Sequence, residues 1–144
     1  FVDNAGSLWS ADQEYEYGAW GYSKGSAKSS SISVSNTTDD GLYQQYREAP
    51  GQYRFTVPNG VYQVKLKFVE FSSSNATDRM MRILLESAVV ENAFSIYTSA
   101  SGRAVAVDRV YQVTVNDGLL NIEFSQNSGK LAPIISAIQI TQLN

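Results

Sequence analysis

The stretch Tyr53-Arg-Phe-Thr-Val-Pro-Asn-Gly-Val-Tyr-Gln-Val-Lys-Leu-Lys-Phe-Val-Glu70 decides the fold class. In its second half, polar residues separate four apolar ones, which are Tyr62, Val64, Leu66 and Phe68. Because successive side chains of a strand point to opposite faces, this alternation predicts a strand over 61–70 with one buried face. The first half alternates in the same way, and the turn residues Pro58-Asn59-Gly60 predict that the two halves pair as a hairpin.

The same alternation recurs along the rest of the chain. Further β-rich runs lie at 32–34, at 81–85 with a continuation toward Val90, at 104–115, at 120–124 and at 134–143. Asn116-Asp117-Gly118 is a strong turn signal between two of these runs. No window of about a dozen residues keeps the 3.6-residue period of a helix. About 8 to 10 short strands remain, which predicts an all-β fold, an antiparallel β-sandwich of the jelly-roll type.

The composition limits the partners of the domain. The chain has 144 residues, no cysteine and a net charge of −3, and its 11 basic residues are scattered. Binding to phosphate needs clustered Lys and Arg, so we expect no nucleic-acid partner. No apolar run approaches the roughly 20 residues of a membrane span, so we expect no membrane partner. Residues 1–144 are predicted to form one domain excised from a larger multidomain protein, since the chain begins at Phe1 without Met.

The residue types present also bear on catalysis. The chain has no histidine and no cysteine, which excludes catalytic triads, imidazole bases and most zinc sites. Paired carboxylates, as in glycosidases, are the chemistry that remains. Nothing in the sequence sets two of the 14 acidic residues apart, so the domain is predicted not to be an enzyme. No cofactor is predicted, while a structural calcium held by carboxylates and backbone carbonyls stays open.

A second informative stretch is Trp9-Ser-Ala-Asp-Gln-Glu-Tyr-Glu-Tyr-Gly-Ala-Trp-Gly-Tyr22, which places five aromatic residues within fourteen. Glycine, serine and acidic residues separate the rings, where a buried strand would carry Val, Ile and Leu. This composition predicts a loop that presents flat apolar faces to solvent. Such faces match the C–H faces of sugar rings, and the neighbouring polar groups can bond to hydroxyls. The stretch therefore predicts carbohydrate binding.

Seven short motifs occur in an order that resembles the malectin-like carbohydrate-binding modules. They are Val2-Asp-Asn-Ala-Gly6, Trp9-Ser-Ala-Asp12, Leu42-Tyr-Gln-Gln-Tyr-Arg47, the run from Val57 to Glu70, Phe94-Ser-Ile-Tyr97, Asp117-Gly-Leu119 and Ala132-Pro-Ile-Ile-Ser-Ala-Ile138. Together they extend over nearly the whole chain. The resemblance implies a noncatalytic jelly-roll β-sandwich that binds oligosaccharide in a loop-built cleft at one end. Many bacterial modules of this kind stand beside glycoside hydrolase domains.

The chain departs from the vertebrate malectin pattern at three places. Ser72-Ser73 stand where that pattern has two adjacent aromatic residues, and Glu48 stands where it has another. Leu131-Ala132 stand where the pattern has an acidic residue before a proline. The resemblance therefore implies the fold, whereas the vertebrate preference for a short glucose disaccharide is not carried over. For the ligand, this chain is instead compared with bacterial modules of this kind that act on galactan or β-glucan.

Eight residues are predicted to contact sugar. The aromatic residues expected to stack on pyranose faces are Trp20, Tyr22, Tyr46 and Phe71. The polar residues expected to select hydroxyl stereochemistry are Arg47, Asn75, Arg79 and Asn127. For Trp20 or Tyr22, the alternative is a ring that plugs the end of the sandwich. For Arg47, the alternative role is a salt bridge to Asp39 or Asp40. For the polar loops that contain the other polar candidates, the alternative is a solvated turn that binds no ligand.

These observations predict a noncatalytic module that binds a neutral, β-linked plant or algal polysaccharide or oligosaccharide of the galactan or β-glucan type. The expected partners are this glycan and an attached glycoside hydrolase domain, and the expected location is extracellular. The alternative is a structural or protein-interaction β-sandwich of a secreted multidomain protein, in which the aromatic residues pack against a neighbouring domain.

Overall fold

The computed structural model describes residues 1–144, which fold mainly into strands. The eleven strands are β1 (Trp20–Tyr22), β2 (Ser26–Ser29), β3 (Gln45–Glu48), β4 (Gln52–Thr56), β5 (Gly60–Phe68), β6 (Met80–Leu85), β7 (Ala88–Phe94), β8 (Val107–Val115), β9 (Leu119–Ser128), β10 (Ile134–Ile135) and β11 (Ala137–Leu143). The two helices are α1 (Asp40–Gln44) and α2 (Ile96–Ala100). Each has five residues, and neither is long and apolar enough to cross a membrane.

The strands form three sheets, in which every pair is antiparallel. The largest has the order β1-β4-β9-β6-β7, and the two smaller ones have the orders β11-β5-β8 and β10-β3-β2. The main core cluster contains 16 buried residues drawn from the large sheet and from both small ones. Leu66 of β5 and Ile122 of β9, for example, are both fully buried in it. The predicted all-β antiparallel sandwich is confirmed.

The alternation in β5 has the predicted physical consequence. Tyr62, Val64, Leu66 and Phe68 are all buried, with exposed fractions between 3% and 0%. The intervening Gln63, Lys65 and Lys67 are only partly covered. Fully burying one apolar side chain of this size contributes about 1.5–3 kcal/mol. The inner face of β5 is therefore a main source of the stability of the sandwich.

The hairpin predicted between β4 and β5 is wrong. β4 pairs with β1 and β9 in the large sheet, whereas β5 pairs with β8 and β11 in a small sheet. The turn at 58–60 therefore carries the chain from one sheet to the other. The turn at 116–118 does the same, and the two turns are joined because the Gly118 N–H donates to Asn59 Oδ1 at 2.7 Å. A short turn can form a hairpin within one sheet or carry the chain from one sheet to another, so the turn residues alone did not decide between these two connections.

Two further strand predictions are corrected. Residues 32–34 form no strand, and this region pairs only through an isolated bridge between Ser35 and Val105. The run from Met81 does not continue straight toward Val90. Glu86 and Ser87 adopt left-handed backbone angles, with φ of 49° and 67°, and turn the chain back into β7. Two consecutive left-handed residues give the tight hairpin turn that matches the twist of paired strands.

The segment predicted to be a loop also contains a strand. Trp20–Tyr22 forms β1 and pairs with β4, and residues 13–15 lie along the other side of β1. The Tyr22 N–H donates to the Gln13 carbonyl at 3.0 Å, and the Tyr15 N–H donates to the Tyr22 carbonyl at 2.9 Å. A Cβ added at Gly21 would lie 2.4 Å from Gln13 backbone oxygen. Glycine is thus required at position 21 because two backbone segments meet there, and β1 holds Trp20 in a fixed place.

Candidate functional site

A cleft of about 630 Å³ lies within the usual size range of small-ligand sites. It is lined by parts of β1 and β11, each of which is the end strand of its sheet. The N-terminal segment 1–12 supplies another wall. The aromatic residues that line the cleft are Phe1, Trp9, Trp20, Tyr46, Tyr53 and Phe55. Its charged residues are Asp12, Lys28 and Arg47.

Contacts within the largest sheet and within the N-terminal segment hold the two tryptophans of the cleft in place. Trp20 stacks on Phe55 with ring centroids 5.8 Å apart and an interplanar angle of 6°. Trp9 Nε1 donates to Asp3 Oδ2 at 2.8 Å. This bond, together with backbone N–H groups and Lys67, holds the pKa of the Asp3 carboxyl below its usual value. Both indoles are only partly buried, so each keeps ring surface that a ligand could contact.

An ion pair lies in the cleft beside these rings. Arg47 Nε donates to Asp12 Oδ2 at 2.7 Å, and the Tyr53 hydroxyl donates to Asp12 Oδ1 at 2.9 Å. The Tyr22 ring lies against the guanidinium, with its centroid 3.4 Å from Arg47 Cζ. Burial opposes the charge of Arg47, yet the hydrogen bond and charge of Asp12 raise the pKa of Arg47. Burial and the charge of Asp12 raise the pKa of Tyr53, so its hydroxyl keeps its proton.

The N-terminal wall is an exposed hairpin-like segment. The Trp9 N–H donates to the Phe1 carbonyl at 2.7 Å, and Val2 and Leu8 form an isolated bridge. The backbone N–H of Asn4 donates to Asp39 Oδ1 at 2.8 Å, which ties the segment to the start of α1. Phe1, Val2 and Leu8 are 51%, 62% and 77% exposed. The rim of the cleft therefore presents apolar surface to solvent.

Comparison with known proteins agrees with the motif order seen in the sequence. The family model described as the malectin domain matches residues 1–139. The chain belongs to the malectin domain family. No curated protein matches the chain. Malectin domains are a family of binding domains, and this chain is a malectin domain over almost its whole length.

This malectin domain spans less than half the length of the solved chains that it resembles. The Bacteroides uniformis β-glucuronidase aligns with a TM-score of 0.91 and 29% identity, over 100% of this chain and 17% of the enzyme chain. The ANXUR2 extracellular domain from Arabidopsis thaliana aligns with a TM-score of 0.80 and 14% identity, over 99% of this chain and 45% of that chain. The identity to ANXUR2 is low enough that this second likeness concerns the fold alone.

Three of the eight predicted sugar contacts line the cleft of this malectin domain. They are Trp20, Tyr46 and Arg47. Tyr22 does not line the cleft, and its ring supports Arg47 from the side. Arg47 forms its salt bridge with Asp12, so the alternative pairing with Asp39 or Asp40 is wrong. The structure thus brings together residues from β1 and β3.

Phe71 and Arg79 lie in the interior. Phe71 is 7% exposed and packs against Tyr46, with ring centroids 6.0 Å apart. Arg79 is 4% exposed, and its Nε donates to Glu70 Oε1 at 2.8 Å. Arg79 Nη1 also donates to the Ala132 carbonyl, which links the loop after β5 to the segment before β10. Both residues therefore hold the loop end of the sandwich, and their predicted contact with sugar stays a prediction.

Asn75 and Asn127 are exposed and do not line the cleft. Asn75 Oδ1 accepts hydrogen bonds from the backbone N–H groups of Thr77 and Asp78, both at 3.0 Å. Asn127 Nδ2 donates to the Asn92 carbonyl at 2.9 Å. Ser73 at one of the departures from the vertebrate pattern is buried, and its hydroxyl donates to the Asn75 carbonyl at 2.9 Å. This loop is therefore closed by its own hydrogen bonds.

The sequence did not single out Asp12 as a functional residue. Asp12 belongs to the Trp9-Ser-Ala-Asp12 motif, but 35 residues separate it from Arg47 in the sequence. No local sequence pattern relates two residues so far apart. The motif was therefore the only feature of the sequence that drew attention to Asp12. The acidic residues form no cluster of three or more that could hold a metal ion.

Proposed function

We propose that this malectin domain is a noncatalytic carbohydrate-binding module that seats a polysaccharide or oligosaccharide in the cleft between β1 and β11. The observation that carries the proposal is the cleft itself, where the half-buried rings of Trp9, Trp20 and Tyr46 stand beside the Asp12–Arg47 pair. Sugar rings offer apolar faces for stacking and hydroxyls for hydrogen bonds, so this combination of surfaces suits them.

In this proposal Trp20 and Tyr46 stack on pyranose faces, and Arg47 and Asp12 bond to hydroxyls. Tyr22 supports the guanidinium of Arg47, while Phe71 packs behind Tyr46. A sugar must leave water that already bonds its hydroxyls well, so the net affinity is modest. We expect a Kd between about 1 mM and 1 μM, or roughly −4 to −8 kcal/mol.

The proposed ligand is a neutral, β-linked glycan of the galactan or β-glucan type from plants or algae. The ion pair carries no net charge, and Lys28 is the one further charged side chain in the cleft, so the lining suits a polymer of little or no charge. We further propose that the module is extracellular and targets an attached glycoside hydrolase. The alignment with 17% of a β-glucuronidase chain supports this arrangement, because there the related domain is part of a glycosidase. Tethering would raise the local concentration of substrate near the enzyme.

Two variants of one segment test the proposal against a panel of polysaccharides. Trp20→Ala removes a ring of the cleft, whereas Tyr17→Ala removes a ring that is 100% exposed and lies outside it. Affinity gels would contain β-glucan, galactan, xylan, mannan or agarose, and one class of glycan should retard the wild type and Tyr17→Ala but not Trp20→Ala. Trp20 stacks on Phe55, so thermal unfolding must show that Trp20→Ala is folded at the assay temperature.

A second candidate function is docking against a neighbouring domain of the same protein. The apolar rim formed by Phe1, Val2 and Leu8 favours it, because such surface is often covered by a partner. In that case no polysaccharide should retard the wild type. Quenching of the tryptophan fluorescence by acrylamide should then fall only when the adjoining domain of the parent protein is present.

A further inference from the structure

Arg47 lines the cleft with hydrogen-bonding capacity that the protein does not use. Its Nε donates to Asp12, and its Nη1 makes a long contact of 3.4 Å with the Lys24 carbonyl. Nη2 has no hydrogen bond of good geometry to the protein, although the Tyr53 hydroxyl lies close enough to the guanidinium to interact with it. Arg109 Nε is the one fully buried side-chain nitrogen or oxygen without a hydrogen-bond partner, so Nη2 of Arg47 keeps at least a small contact with solvent. Arg47 can therefore donate a further hydrogen bond into the cleft.

Asp12 has the complementary capacity to accept one. Its Oδ1 accepts from the Tyr53 hydroxyl at 2.9 Å and from the Gln13 N–H at 3.1 Å. Its Oδ2 accepts only from Arg47, and a carboxylate oxygen can accept two hydrogen bonds. The Asp12 side chain is 38% exposed, so a ligand can reach it. A donor and an acceptor thus stand next to each other in the cleft.

The pair is held in place before any ligand arrives. The Arg47 side chain is 8% exposed, and the Tyr22 ring covers one face of its guanidinium. Arg47 lies on β3, where it pairs with Ala27 of β2 and with Ile135 of β10. A planar guanidinium fixed in this way loses little conformational freedom when it binds.

We infer that the Asp12–Arg47 pair recognises two adjacent hydroxyls of one pyranose ring. One hydroxyl donates to Asp12 Oδ2, and its neighbour accepts from Arg47 Nη2. The inference rests on the proposed function and goes beyond it, because it names the hydroxyl pattern that the ligand must carry. Internal residues of a β-1,4-linked galactan or glucan keep adjacent free 2- and 3-hydroxyls. Internal residues of a β-1,3-linked chain use the 3-hydroxyl in the linkage, so they have no adjacent pair.

Matched glycans that differ only in linkage test the inference. Isothermal titration calorimetry would compare β-1,4-galactan with β-1,3-galactan, and cellohexaose with laminarihexaose, each hexaose methylated on the hydroxyls of its two terminal residues because those residues keep adjacent free hydroxyls in either linkage. A hydrogen bond to a charged group stabilises a complex more than a neutral one does. In at least one of these pairs, we therefore expect the wild type to bind the β-1,4 member at least about ten-fold more tightly than the β-1,3 member. Asp12→Asn should bring the ratio of the affinities for the two linkages close to one, whatever it does to the affinity for the β-1,3 member. Asp117→Asn, in the turn after β8, is the matched control and should keep the preference.

The ratio of the affinities for the two linkages distinguishes loss of recognition from a general loss of structure, because a loss of structure would weaken the binding of both glycans alike. If Asp12→Asn is unfolded at the assay temperature, Arg47→Lys replaces it, since lysine keeps the charge without the planar fork. Equal binding of both linkages by the wild type, or a preference that survives in the folded variant, overturns the inference and leaves the proposed function intact. Absence of binding to every glycan of the wider panel overturns the proposed function and this inference with it.

Discussion

Replacement of Glu70 by Gln tests whether the buried Glu70–Arg79 pair holds the loop end of the sandwich. The two side chains are 1% and 3% exposed. Glu70 accepts two hydrogen bonds from Arg79, at 2.8 and 3.2 Å, and two from the N–H groups of Ser72 and Ser73, at 3.2 and 3.3 Å. Gln keeps the shape of Glu70 and removes its charge, which leaves the Arg79 cation buried without a counter-ion.

Removal of one partner from a buried ion pair typically costs about 3–5 kcal/mol. For a domain of this size, 1 kcal/mol corresponds to about 4 °C in Tm, so Glu70→Gln should lower Tm by about 12–20 °C. Urea unfolding followed by circular dichroism would give the change in the free energy of unfolding. Lys130→Gln is the control, because Lys130 is 76% exposed and lies 4.0 Å from Asp78, and such pairs contribute little.

A double-mutant cycle sharpens this test. The Glu70→Leu and Arg79→Met double variant has no unpaired buried charge, so its loss of stability should be smaller than the sum of the two single losses by about 2 kcal/mol or more. The Ala132 carbonyl and the N–H groups of Ser72 and Ser73 still lose partners in the double variant. A cost below about 1 kcal/mol for Glu70→Gln, or strict additivity in the cycle, would refute the assigned role.

Two further predictions concern backbone contact and tyrosine ionisation. Gly21→Ala should destabilise the domain far more than Gly6→Ala, because a Cβ at Gly21 meets the backbone of residue 13 whereas one at Gly6 meets nothing within 4 Å. Thermal unfolding measures both, and equal losses would contradict the close approach. Burial comes first among the causes that raise the pKa of three tyrosines, Tyr43, Tyr53 and Tyr111. Their stabilising contribution is complete below the unfolded pKa of about 10 and is lost as pH rises above it. Absorbance titration should therefore show these three ionising only with alkaline unfolding, and their ionisation in the folded protein would contradict the burial.

The period of two in the sequence predicted which side chains enter the core, because alternation is a local property of a strand. Leu120, Ile122 and Phe124 of β9 are buried as that pattern predicts. The pairing partners could not be predicted in the same way. The short turn at 58–60 would fit a hairpin as well as a crossing between sheets, and the choice depends on which faces must bury each other.

The candidate site was predictable only in part for a related reason. Residue type and position in the sequence identified Trp20, Tyr46 and Arg47 as candidate sugar contacts, and all three line the cleft. The position of Phe71 after a core strand did not reveal that its ring points inward, where it is 7% exposed. The pairing of Asp12 with Arg47 joins residues 35 positions apart, which no local pattern encodes.

Affinity gel electrophoresis of the wild type, Trp20→Ala and Tyr17→Ala on the polysaccharide panel tests the central claim most directly. We predict that one class of β-linked glycan retards the wild type and Tyr17→Ala and leaves folded Trp20→Ala unretarded. Retardation of all three proteins alike would contradict the cleft as the binding site. Migration of the wild type unaffected by every glycan would contradict carbohydrate binding itself.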